Sequence, residues 1–321
     1  MRIVTFHELP PGWEASSTLL MHSAFGSSWD PRELGTKQFD QHYPRYSDYV
    51  GLCAVDHGRI VSSVLVHRFP FRTRQRECTC SGLGAVATLP TYTRRGLARR
   101  LIEEAHRRER ANGSPFMLLY TGRSIVAHAL YEGLGYRDVL DFPRAVRWVP
   151  NRERSLPRGW TWRNATRDDW HAIKEMRAYL GRGRSGFTRE GVEWGPGPGK
   201  WFAPDDMWSV LECDRSIVAY ASVRTEGQLR ACHEGMACTE KARHLLLRSL
   251  ESEARGRWLL LGSPLIYELR AAPGIRAYSL APGSHSVLMA KSLDGPRSPS
   301  DLAHELGSDH PSFLIGVADS F

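Results

Sequence analysis

The sequence has no run approaching the roughly 20 apolar residues that a membrane-spanning helix needs. Its start, Met1-Arg-Ile-Val-Thr-Phe-His-Glu-Leu-Pro-Pro, lacks the apolar core of a secretory signal. The six cysteines, at 53, 78, 80, 213, 232 and 238, include no Cys-x-x-Cys pair. That excludes a recognisable disulfide framework, and the cysteines read as reduced thiols in a cytoplasmic protein. Cys232-His233-Glu234 with Cys238 matches no metal-ligand spacing, and alternate strand residues face opposite sides, so no metal site is expected. A Ser/His/Asp catalytic arrangement cannot be read either. What is present is a globular composition: 41% hydrophobic residues and a mean hydropathy of -0.39. At 321 residues the chain is long enough for two domains.

The net charge of +8 is uneven. Residues 1–150 carry 20 Lys/Arg against 14 Asp/Glu, and residues 151–321 carry 23 against 21. The basic half also holds the most informative stretch, Val86-Ala-Thr-Leu-Pro-Thr-Tyr-Thr-Arg-Arg-Gly-Leu-Ala-Arg-Arg-Leu-Ile-Glu-Glu-Ala105. It reads as a strand ending at Pro90, a tight Arg-rich turn and a helix starting near Arg95. A helix N-terminus offers unpaired N–H groups and a partial positive charge, which suit a phosphate. Gly96 and Ala98 let a ligand approach the backbone, and Arg94, Arg95 and Arg99 add forked donors. The excess charge fits an anionic ligand here, with a nucleic-acid face as the competing reading. For the distal pairs Arg99-Arg100 and Arg107-Arg108, a solvated helix face paired with Glu103, Glu104 and Glu109 explains the charge equally well.

The first half reads as a strand over Arg2–Glu8, helices over Trp13–Phe25 and Pro31–His42, and strands over Val50–Val55 and Arg59–Phe69. Asp56-His57-Gly58 joins those two strands as a hairpin turn. A long strand follows over Gln75–Leu89, with a bulge expected at Gly82-Leu-Gly84. The cradle helix runs to Asn112-Gly113. Then come a strand over Pro115–Tyr120, a helix over Ser124–Gly133, and two closing strands, Tyr136–Phe142 and Ala145–Val149.

This order, with its motifs, resembles the GNAT (Gcn5-related N-acetyltransferase) superfamily. The family pattern Q/R-x-x-G-x-G/A falls at Thr93-Arg94-Arg95-Gly96-Leu97-Ala98, with Thr93 departing from it. The later signature falls at Ser124-x-x-Ala127-x-x-x-Tyr131-Glu-Gly-Leu-Gly135-Tyr136, with Ser124 where Asn is usual. The fold class implied is α/β: two tandem GNAT (acyl-CoA N-acyltransferase) folds, each a mixed, mostly antiparallel sheet flanked by helices. The second copy starts from Val210–Val223, which matches the hairpin Leu52–Val64. Gln228–Ala237, Glu240–Ala254, Trp258–Leu261 and Pro264–Ala272 continue the order, and Arg276–Ala281 and Ser286–Ser292 close the sheet. Its helix is preceded by Met236-Ala-Cys-Thr with no Gly, and Glu240 in the first turn would repel a phosphate. Arg270 stands where Tyr131 would be.

A working first copy with a degenerate second resembles the Eis-like acetyltransferases, whose cradle also reads as Pro90–Leu97 does here. The division expected is 1–150 for the catalytic domain, 151–295 for the degenerate copy and 296–321 for a tail. The sterol-carrier-like domain usual in that branch is expected to be missing. The resemblance implies acetyl-CoA as acyl donor, bound by Val86, Ala87, Thr88, Arg94, Arg95, Gly96, Leu97, Ala98, Arg99 and Ser124. Tyr131 is then the general acid for the departing thiolate; read without the family, it is a core tyrosine beside Leu130 and Leu134. The base is open between Glu77, water and the C-terminal carboxylate of Phe321, reached through the apolar Phe313–Val317. The acceptor is an amine of a small molecule, an antibiotic or a lysine. The pocket draws on the loops Phe25–Asp30 and Glu193–Trp201. A membrane is not expected, nucleic acid is disfavoured, and an oligomer is left open. Rival readings are a tRNA-dependent aminoacyl transferase and a non-catalytic coenzyme A-binding protein.

Overall fold

The computed structural model describes residues 1–9, 12–26, 50–152, 155–189, 207–281, 286–310 and 313–314. The expected helix Pro31–His42 and the loop segments 27–30 and 193–201 lie outside them. Among the described helices none is long and apolar enough to cross a membrane.

In the first half the chain forms β1 (Arg2–Thr5), α1 (Glu14–Phe25), β2 (Val50–Asp56), β3 (Arg59–Arg72) and β4 (Glu77–Thr88). It continues with α2 (Leu97–Ala111), β5 (Phe116–Thr121), α3 (Val126–Glu132) and β6 (Arg137–Asp141). Residues 6–8, expected as strand, instead form a turn of 3-10 helix. His57 (φ 46°) and Gly58 (φ 75°) make the two-residue turn between β2 and β3, because positive φ at both positions matches the strands' twist. The bulge on β4 falls at Ala85-Val86, just after Gly84, where Ala85 takes φ 47°.

The second half forms β7 (Arg144–Val149), β8 (Trp160–Asn164), α4 (Trp170–Leu180), β9 (Gly186–Phe187), β10 (Met207–Cys213) and β11 (Ser216–Glu226). Then follow β12 (Leu229–Ala237), α5 (Glu240–Glu253), β13 (Arg257–Leu261), α6 (Ser263–Leu269), β14 (Ser279–Ala281), β15 (Val287–Ser292) and α7 (Pro299–Leu306). Asp214 and Arg215, at φ 49° and 70°, repeat the turn of the first hairpin. The stretch before β14 is a 3-10 turn, Pro273–Ala277, where a longer strand was expected.

The two sheets have matching strand orders, β1-β2-β3-β4-β5-β15-β6 and β8-β10-β11-β12-β13-β7-β14. They have exchanged one strand each. β7, expected to close the first sheet, lies between β13 and β14, while β15, expected to close the second, is inserted between β5 and β6. The reason is local. β6 and β7 are joined by Phe142-Pro143; proline's fixed negative φ forbids a type I′ turn, and Phe142 does not take the positive φ that type II′ requires. The chain therefore runs on into the other sheet. β15 suits its adopted place: Val287, Leu288, Met289 and Ala290 are all fully buried, the continuous apolar pattern of a strand covered on both faces. The sheets consequently do not divide at residue 150.

The first sheet packs one face against α2 and the other against α7. Leu101, Ile102 and Ala105 of α2 meet Val64, Leu83, Met117 and Met289. On the opposite face Leu302 and Leu306 of α7 join Phe69, Phe71, Phe116, Phe187 and Phe313. The tail is thus partly built into the first sheet's core. Leu314 bridges to Gly186 of β9, which pairs with β3. A Cβ on Gly186 would sit 2.2 Å from the Leu314 carbonyl oxygen, so this close approach requires glycine. Residues 315–321, with Phe321, lie outside the described residues.

Candidate active site

β4 and β5 run parallel but pair only at Ser81–Met117 and Gly82–Leu118. Beyond that point they diverge, and from Leu83 to Thr88 the outer edge of β4 has no strand partner among the described residues. α3 does not pack closely on β4, so it leaves this edge uncovered among the described residues. The mouth of the wedge between the strands is the N-terminus of α2. Gly96 is the N-cap with φ 72°, and no side chain caps the helix. Arg100 N–H bonds to the Gly96 carbonyl, which leaves the amides of Leu97, Ala98 and Arg99 without an acceptor among the described residues. A Cβ built on Gly96 meets nothing within 4 Å. These residues fit a pyrophosphate group: free amides, a backbone that can be approached, and room.

The arginines of the turn are less alike than their spacing suggests. Arg95 stacks on Tyr92, 4.6 Å from the ring centroid, and donates to the Thr91 carbonyl at 3.0 Å. Tyr92 is itself anchored to Asp56 at 2.9 Å. Arg99 reaches the Gly133 carbonyl at the end of α3, 3.4 Å away. Arg94, at φ 61°, is exposed and engages nothing among the described residues. The distal pair is taken up as expected of a solvated face, with Glu104 holding both Arg107 and Arg108. This ion pairing holds the Glu104 carboxyl at about 2. Glu109 instead is fully buried and receives a forked pair of bonds from Arg68 at 2.8 and 2.9 Å.

Tyr131 faces the wedge from α3. It shares one apolar cluster with Leu97 and Leu101 of α2, and Val86 of β4 packs against that cluster, so the separate motifs meet in space. Its ring is 7% exposed, and its hydroxyl has no hydrogen-bond partner among the described residues. Burial raises its pKa to about 12. Ser124 is exposed and does not cap α3, whose N-cap is Ile125. Of the β4 positions, Ala87 packs into the core beside α1. The Thr88 hydroxyl is engaged with Ser62 at 2.8 Å, so that segment's backbone is what it can offer a ligand. Glu77 is ion-paired with Arg72 at the other end of β4. Nine residues at about 3.3 Å each put it roughly 30 Å from Val86, which removes it as a base.

A support for Tyr131 was not visible in the sequence. Tyr136 packs edge-on against it at 5.9 Å and bonds to His106 Nε2 at 3.0 Å. Lys291 Nζ lies 3.3 Å from His106 Nδ1. His106 on the inner face of α2 was a weak signal; Lys291 gave none, because only the strand exchange brings it here. Burial, with Lys291 and Arg110 nearby, lowers His106 from 6.5 to about 3. The unfolded chain therefore takes up that proton first as pH falls. Stability is intact above about 6.5 and is lost progressively toward 3. We expect His106→Gln to flatten the fall in melting temperature between pH 7 and pH 4; an unaltered slope would contradict the assignment.

The second copy is built differently at the corresponding place. β12 and β13 also diverge, after Cys232–Leu261. Here α6 packs directly on β12, with Leu265 fully buried and its Cδ1 3.0 Å from a Cβ built on Gly235. Thr239 caps α5 by accepting from the Ala242 N–H at 3.1 Å. Where β4 has Gly84 opposite Leu65, β12 carries Glu234 opposite Ser222, buried and held by Arg189 at 2.9 Å and Arg177 at 3.3 Å. Arg270 is an exposed residue at the end of α6. Among the described residues no group of three or more His, Cys, Asp or Glu could hold a metal ion.

A family model described as an acetyltransferase (GNAT) domain matches residues 16–139, the stretch that holds the cradle and Tyr131. Solved structures share the fold of most of the chain. A protein of unknown function from Enterococcus faecalis V583, described as a probable N-acyltransferase, matches with a TM-score of 0.68 and 14% identity over 91% of this chain and 72% of its own. A GCN5-related N-acetyltransferase from Kribbella flavida gives 0.64 and 16% over 91% and 71%. Eis1 from Mycobacterium abscessus gives 0.56 and 14% over 92% and 74%. No curated protein matches the sequence. Residues 16–139 thus match an acetyltransferase (GNAT) domain, and the solved structures share the fold. The two sheets of matching strand order make the fold a tandem of two copies, similar in fold to Eis1. GNAT domains generally use acetyl-CoA.

Gly96→Ala tests the cradle. At φ 72° an alanine costs about 1–2 kcal/mol of backbone strain, as Gly113→Ala would at φ 81° with equally open space. Only the Gly96 change is expected to weaken acetyl-CoA binding, by about tenfold or more, in calorimetric titration. Equal effects of the two would show strain alone.

Proposed function

We propose that the protein moves an acetyl or similar short acyl group from acetyl-CoA to a primary amine of a small molecule, an antibiotic or a lysine. The amine attacks directly in a ternary complex. The observation that carries this reading is the contrast between the copies: one wedge open with an uncapped helix, the other filled by Leu265 and capped by Thr239.

Acetyl-CoA, when bound, supplies an activated acyl carbonyl. The amides of Leu97, Ala98 and Arg99 hold the pyrophosphate, with Arg94 as the mobile charge over it and Arg95 and Arg99 bracing the turn. The free edge of β4 at Val86, Ala87 and Thr88 pairs with the amide-bearing arm, and Ser124 lies beside its path. An N–H near Val86 polarises the carbonyl, a role typically worth about 2.7–4 kcal/mol. Tyr131 donates a hydrogen bond to the departing sulfur. A coenzyme A thiol, at about 8.5 by analogy with cysteine, is a stronger acid than this phenol. The net proton gained by sulfur therefore comes from the amine. Water or the carboxylate of Phe321 is our candidate to receive it first; Leu314 itself docks beside Gly186 at the Glu77 end of the sheet.

Incubation with acetyl-CoA and a panel of amines, following thiol release and product mass, tests this. Amine-dependent release with an acetylated product supports it. Cofactor binding with no transfer to any amine would favour a binding protein.

A further inference from the structure

A second cavity, of about 290 Å3, lies at the far end of α2. Arg110 from α2, Arg137 from β6, Lys291 and Ser292 from β15, and Arg297 from the loop before α7 line it. Four cations thus meet in one small space, and the lining includes no carboxylate residue. Their hydrogen bonds go mostly to neutral oxygens. Arg110 donates to the Leu293 carbonyl, Arg137 to those of Glu132 and Tyr136, and Lys291 to that of Leu134. Carbonyls satisfy donors without cancelling charge. Among the described residues, Arg297 alone of the four has a close carboxylate, Glu305 at 3.3 Å.

The hydroxyl of Ser292 is the second observation. The residue is 8% exposed, and its Oγ is buried with no hydrogen-bond partner among the described residues. Leaving such a group unmet is costly, and here it lines a cavity whose charge calls for an acceptor-rich ligand. The electrostatics agree: burial and Arg110 lower Lys291, and the same pair of cations adds to the depression of His106.

We infer that this cavity is a second anion site, built to take a small phosphorylated ligand. Forked guanidinium donors from two sides match phosphoryl oxygens, and the volume is at the lower end for ligand pockets. Thirteen residues of α2, at about 1.5 Å each, separate Arg110 from Leu97, so the site is roughly 20 Å from the cradle.

Calorimetric titration of the intact protein with inorganic phosphate, pyrophosphate and glycerol 3-phosphate tests it. Each titration is run without coenzyme A and with an excess that keeps the cradle occupied. Preference for the ester would identify an organic phosphate, and preference for the inorganic ions a free phosphate; either supports the site. We expect binding of at least one probe to persist under excess coenzyme A, and to weaken at least about tenfold in Arg137→Gln/Arg297→Gln and several-fold in Ser292→Ala. Because both arginines are partly exposed and Ser292→Ala removes only a hydroxyl, all three changes should leave the fold intact by circular dichroism. No binding, binding abolished by coenzyme A, or binding indifferent to the cavity substitutions would overturn the inference. None of these outcomes depends on acetyl transfer.

Discussion

Tyr131→Phe is expected to leave acetyl-CoA affinity within a few-fold and to lower kcat by about 10- to 100-fold, the range of a lost hydrogen bond to a charged group, about 1.5–3 kcal/mol. The ring keeps its place against Tyr136, Leu97 and Leu101, so binding and stability should hold. Only the unpartnered hydroxyl is lost. The pH profile adds a sharper test. With Tyr131 raised to about 12 by burial, no deprotonation of this group should limit kcat up to pH 10. Phenylalanine should therefore lower the plateau without shifting the profile. A limb near 10 that vanishes in the variant would mean the phenol is not desolvated as described. Unchanged turnover would remove Tyr131 from the chemistry.

Residues 1–150 expressed alone are expected not to fold, despite containing the cradle and Tyr131. Without β15, strands β5 and β6 face an unfilled gap, and β7 has no sheet to join. Burial of Val287, Leu288 and Met289 alone contributes roughly 5–9 kcal/mol at about 1.5–3 each. That rivals the whole net stability of a domain, about 5–15 kcal/mol. The fragment should show no cooperative melt and bind no acetyl-CoA, while co-expression with residues 151–321 should restore both. A fragment that melts cooperatively by itself would show that the exchanged strand is dispensable.

These two expectations differ in how far the sequence could anticipate them. Arg94–Ala98 and Tyr131 are local patterns: a turn, a helix start and a helix face, each determined by neighbours within a few residues. The second copy was legible for the same reason, through Asp214 in the hairpin turn and Thr239-Glu240 at the helix start. The partner of a strand is not local. β15 reads as a strand from its own residues, but nothing in Val287–Ser292 says which sheet it joins. The one available signal was Phe142-Pro143, a two-residue link poorly suited to a primed hairpin turn. Lys291 behind His106, and the cavity around Ser292, follow from that exchange and were invisible for the same reason. Glu77 shows the opposite error, a carboxylate on the right strand but at the wrong end of it.

The central claim is that the chain has one working acetyl-CoA site, at the head of α2 in the first copy. The most direct measurement is the stoichiometry of acetyl-CoA binding to the full chain by calorimetry, repeated with Gly96→Ala and with Thr239→Ala. One site per chain is predicted, weakened by the first substitution and indifferent to the second. Two sites, none, or a single site that responds to Thr239 and not to Gly96 would contradict it.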